Sequence, residues 1–121
     1  MPQLAEHILQ AEKNERLFDN LIGTEFNDWA VVSLFYAALH YVDAYFVERV
    51  GTSPSNHRSR NRLISMTIEL VSIETFYREL YARSLDARYN IVTISEDEAI
   101  QERTSYFVPV RTHIRALLNI F

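Results

Sequence analysis

Residues 28–50, DWAVVSLFYAALHYVDAYFVERV, constrain the fold more than any other stretch. The run holds no glycine or proline. Trp29, Val32, Tyr36, Leu39, Asp43, Phe46 and Val50 recur every three or four residues, as on one helix face. Phe35, Val42 and Val47 widen that face, so the helix is expected to be central and buried on most sides. Asp28 suits its N-cap and Gly51 its C-terminal stop. A second, polar line runs through Ser33, Tyr36, His40 and Asp43. A carboxylate and an imidazole in such a helix need partners, because burying them unpaired is costly.

The rest of the chain supports a helical fold. With 121 residues it has the length of one domain with one core, spanning residues 1–121. Only 2 glycines and 3 prolines leave few turn signals, which favours helices over many short strands. There is no cysteine, hence neither disulfide nor thiolate chemistry. A net charge of -4 argues against wholesale attraction to nucleic acid, though not against a local basic patch. The segment MPQLAEHILQ lacks a signal peptide's apolar core, and the run Ala30 to Tyr45 is interrupted by His40 and Asp43. A cytoplasmic protein without a membrane span is expected.

A first helix is expected from Pro2 to Ile22, with Leu4, Ile8, Ala11, Phe18, Leu21 and Ile22 as its stripe and Gly23 ending it. The short connection GTEFN implies antiparallel packing on the second helix. Gly, Pro and Ser in GTSPSNHRSRNR mark a loop, after which Ser55 or Asn56 caps a third helix from His57 to about Val71. Its apolar line is Ile64, Ile68 and Val71, flanked by Leu63 and Leu70. A fourth helix, about Ile73 to Tyr89, carries Ile73, Phe76, Tyr77, Leu80, Ser84 and Ala87, with Arg83 angled inward. NIVTI is β-prone but isolated, and reads as a loop. Ser95 and Glu98 form a capping box for a fifth helix running toward Phe121, kinked near Phe107 by Pro109. Ile114, Leu117, Leu118 and Phe121 make its apolar end. The expected architecture is an all-α antiparallel bundle of four to five helices.

Three constellations carry chemistry. His57, Arg58, Arg60 and Arg62 gather at a helix N-terminus, where free backbone N–H groups already favour anions. Cations there are unfavourable unless an anion faces them. The cluster reads as a phosphate site for RNA or a nucleotide. It also reads as a salt-bridged helix start, paired with Asp43, Asp86 or Glu48. In RSLDARY, with Arg83, Asp86, Arg88 and Tyr89, Arg83 and Asp86 are one turn apart and can pair, and Arg83 reads either as an anion ligand or charge stabiliser or as an inward arginine neutralising Asp43. Tyr36, His40 and Asp43 offer an oriented general base or a satisfied core histidine. Tyr36, His40, Asp43, Arg83, Asp86 and Tyr89 are thus candidates for one polar network, with Asp43 buried against Arg83 or Arg60. The histidines His7, His40, His57 and His113 show no metal-ligand spacing, and no phosphate-binding glycine loop is present. Neither metal nor cofactor is expected.

The segments DWAVVSLFYAALHYVDAYF, NHRSRNRLI and YRELYARSLDARY together resemble the HEPN superfamily of small helical-bundle domains. The likeness spans roughly residues 28–89, about half the chain. The last run is similar to an Arg-x-x-Ala-Asp-Tyr element of related bundles, with Arg83 and Tyr89 in place and Arg88 standing where the acid would be. The resemblance implies a homodimer, and either a metal-independent ribonuclease of toxin or RNA-processing type or a binding or antitoxin-like partner. The family's catalytic Arg and His, four to six residues apart on a late helix, are not found. Three functions stay open. One is a module binding RNA or nucleotide phosphate through His57, Arg58, Arg60 and Arg62. A second is a ribonuclease built from His57, His40 and Arg83. The third is a non-catalytic dimeric interaction module.

Overall fold

The structure, a computed structural model, describes residues 2–120 and is helical throughout, with no strand among them. The helices are α1 (Leu4–Leu21), α2 (Asn27–Val50), α3 (His57–Met66), α4 (Glu74–Tyr89), α5 (Glu96–Glu102) and α6 (Val108–Leu117). A 3-10 turn, Ile68–Ile73, joins α3 to α4, and a π turn, Arg103–Phe107, joins α5 to α6. The result is the expected all-α bundle: five rods, the last being α5, the π turn and α6 in sequence.

α2 is the central element. α1, α4, α5 and α6 all pack on it, and its side chains from Ala30 to Phe35 and from Tyr41 to Phe46 are buried. Length and composition alone would let α2 cross a membrane, but 83% of its apolar window is buried in the bundle. α1 runs antiparallel to it, with Leu21 beside Trp29 at one end and His7 beside His40 at the other. The predicted face emerges at its two ends, where Trp29 and Val50 are exposed. Phe26 takes the N-cap position, and Asp28 sits inside the first turn. Gly51 ends the helix as expected, at φ +91°, donating its N–H to Phe46 and Val47.

α3 is shorter than its periodicity suggests. Thr67 is extended and stops it at Met66. The 3-10 turn then rotates the chain about 120° per residue rather than about 100°. The inward positions become Leu70 and Ile73, and the expected core residues Ile68 and Val71 face outward, Ile68 at 90% exposure. Only Ile64 of the predicted line is buried. NIVTI is irregular, with Ile91 at φ +49° and Ile94 tucked into the core. Ser95 and Glu98 form the expected capping box. Pro109 has no N–H for the carbonyl a turn earlier; the π turn absorbs this, with Val108 N–H reaching Arg103 O. Ile114 is fully buried, Leu117 and Leu118 partly so, and Phe121 lies outside the described residues.

Candidate functional site

Asp43 lies on the buried face of α2 and cannot stay charged there alone. Its partner is Arg60. The guanidinium donates from Nε to Oδ1 at 2.8 Å and from Nη2 to Oδ2 at 3.0 Å, a two-point fork. Nη2 also reaches the Pro54 carbonyl at 3.1 Å, tying the preceding loop to the pair. Arg60 points inward because α3 starts at His57: Asn56 caps it, accepting from Ser59 N–H at 2.8 Å. The basic run is therefore divided. Arg60 is committed to the core, whereas Arg58 and Arg62 are exposed, one turn apart, with no carboxylate partner among the described residues.

His57 sits between the two environments. Its ring packs on Phe35 at 5.7 Å, Tyr81 at 5.4 Å and Tyr36 at 6.4 Å between centroids, and its Nδ1 is buried without a hydrogen-bond partner. Burial, then the Arg60 and Arg88 charges, hold its pKa below the ordinary value, against a smaller opposing pull from Asp43. The imidazole is thus neutral at pH 7. Asn61 Oδ1, one turn further along α3, and Tyr77 Oη are also buried without partners.

Arg88 completes this side of the seam. Its Nη1 donates to Tyr36 Oη at 2.9 Å, and its Nε and Nη2 reach the Ser84 carbonyl and hydroxyl at 3.2 Å. The guanidinium lies 5.5 Å from the Tyr36 ring centre and 5.2 Å from that of the exposed Tyr89. No carboxylate faces it among the described residues. A neutral imidazole, an uncompensated guanidinium and a helix N-terminus form a place where an anion is stabilised and a proton can be accepted.

Other expected residues fall elsewhere. Arg83 is half-exposed and pairs with Glu98 at 3.2 Å and Asp86 at 3.9 Å, so it is not the buried partner of Asp43. Its partners come from its own helix (Asp86) and from α5 (Glu98). No hydrogen bond or ion pair joins His40 or Arg83 to His57 among the described residues. His40 instead meets His7, Nδ1 to Nδ1 at 3.0 Å, one ring donating and the other accepting. Both imidazoles are held below their ordinary pKa, first by burial. His7 is the residue that pattern reading overlooked. Its place one turn before Ala11, on the α1 stripe, was the available signal. Arg88 was visible in the RSLDARY run, but its having no acid to pair with is something spacing does not show.

No family model matches the chain, and no curated protein matches it significantly.

Proposed function

We propose that this is a cytoplasmic helical-bundle protein that binds a phosphate of RNA or of a nucleotide, with His57, Arg58, Arg62 and Arg88 as its ligands and Arg60 as their support. The observation that carries this reading is the distribution of unpaired charge. Arg49, Arg60, Arg78, Arg83, Arg103, Arg111 and Arg115 each face a carboxylate within 4 Å. Arg16, Arg58, Arg62 and Arg88 do not; Arg16 is on α1, and the other three lie on the first turns of α3 or beside the His57 it presents. Phosphate there would meet the helix N-terminus, two exposed guanidinium groups and one fixed by Tyr36 and Ser84. Tyr89, exposed beside Arg88, offers a ring on which a base can stack.

Fluorescence anisotropy with short single-stranded RNA and with nucleotides, across a salt series, tests it. Arg58→Ala/Arg62→Ala is expected to flatten the salt dependence by about 2 phosphate contacts. Arg88→Ala is expected to weaken binding at all salt concentrations. Equal affinity in wild type and both variants would sink the proposal. A nuclease version requires the neutral His57 as base; labelled RNA in chelator, with His57→Ala as control, separates cleavage from binding.

A second reading, a dimeric interaction module, is favoured by the exposed apolar side chains Leu63, Met66, Ile68 and Val71 at the α3 end and the 3-10 turn. Ile68→Glu/Val71→Glu is expected to dissociate any such oligomer in sedimentation while leaving the melting temperature unchanged.

A further inference from the structure

We propose that the cleft between α4 and the α5–α6 rod binds a small primary alkylammonium, held between the carboxylates of Glu79 and Glu102. The cleft measures about 150 Å³ and is lined by Glu79, Arg83, Glu98, Gln101, Glu102 and Tyr106. That is room for about five waters, or a short amine. Glu102 is 5% exposed, and its Oε1 is buried with no hydrogen-bond partner. A buried carboxyl without a donor is costly to keep, and it lines the cleft.

The third acid is already used. Glu98 accepts from Ser95 N–H through Oε1 and from Arg83 Nη2 at 3.2 Å through Oε2. Glu79 has neither ion pair nor hydrogen bond among the described residues. Two carboxylates therefore share one small space, and the cation that also lines it, Arg83, is engaged by Glu98 and Asp86. Burial, and after it the Glu79 charge, push the Glu102 carboxyl up to about 7 against a smaller opposing pull from Arg83. An ammonium placed there would donate to both, and the Gln101 amide and Tyr106 ring border the same space.

The local backbone supports the site. Glu102 is the last residue of α5, immediately before the π turn. Tyr106, four residues on, borders the same cleft. The described residues hold no group of three His, Cys, Asp or Glu arranged for a metal ion. A ligand bringing its own N–H donors suits two carboxylates better than a bare ion seeking a full oxygen shell.

Calorimetric titration of the full chain with ethylammonium chloride at pH 7, in two buffers of different ionisation enthalpy, tests the site. Sodium and tetramethylammonium chloride at matched ionic strength are the controls. The expected result is saturable binding of ethylammonium alone, with proton release as Glu102 ionises. Glu102→Gln is expected to abolish the release. Glu102→Gln and Glu79→Gln should each weaken binding at least about tenfold. Three results overturn the proposal: no saturable heat with ethylammonium, an equal response to sodium, or wild-type affinity in Glu102→Gln. Should Glu102→Gln fail to fold, the wild-type proton release and Glu79→Gln decide alone.

Discussion

Asp43 and Arg60 expose only 5% and 7% of their side chains and meet through two hydrogen bonds. Removing one partner leaves the other buried and charged, a loss of about 3–5 kcal/mol. Arg60→Ala is expected to cost that much in chemical denaturation, and Asp43→Asn to recover part of it in the double variant. Arg83→Ala is expected to cost under about 1 kcal/mol, because its partners Glu98 and Asp86 are half-exposed and screened. A large loss in Arg83→Ala with a small one in Arg60→Ala would contradict the assignment. Arg88 differs from both. It is anchored by neutral acceptors, so its charge stays available to a ligand.

Among the elements, the ends of α2 and the start of α5 depend on single residues. Gly51 has φ +91° and nothing within 4 Å of where a Cβ would be. Gly51→Ala therefore meets only backbone strain, expected at about 1 kcal/mol. Gly23, at φ +78°, would in addition bring its Cβ within 3.2 Å of Glu96 Oε1, so Gly23→Ala should cost more. Thermal melts of the two variants rank them, and a smaller loss at Gly23 would refute the order. Ser95→Ala, which removes the bond from Glu98 N–H, is expected to cost about 1 kcal/mol.

At the scale of the whole molecule, stability depends on pH from two directions. His7, His40 and His57 all have pKa values lowered by burial. The unfolded chain then binds more protons than the folded one below the ordinary value of about 6.5. Their contribution is complete above that pH and is lost as pH falls below it. Glu102 acts oppositely. Its carboxyl is raised from 4.5 to about 7, so the folded state holds the extra proton, and stability falls as pH rises between those values. The loss approaches about 3 kcal/mol near pH 7 and beyond. Urea denaturation from pH 4 to 8 should show the wild type weakened at both ends, and Glu102→Gln spared only the alkaline loss. A Glu102→Gln curve parallel to wild type would show that folding does not raise the Glu102 carboxyl.

Hydrophobic period and capping chemistry are local, and they were readable. The burial of α2, the Gly51 stop, the Asn56 cap, the Ser95–Glu98 box and the break near Pro109 all follow from residues within a turn or two of one another. That Asp43 needed a cationic partner was equally legible, since its own helix put it inside. Which arginine answers was not, because Arg60 and Arg83 have similar periodic positions. Packing brings Arg60 within 2.8 Å of Asp43, while α5 presents Glu98 to Arg83. The same holds at Thr67, where a change from α to 3-10 winding turns Ile68 out and Leu70 in. Distances between helices decide which charges are spent within the fold and which are left over. Only the tertiary structure sets those distances, and with them the unpaired Arg88 beside His57 and the unpaired Glu102 beside Glu79.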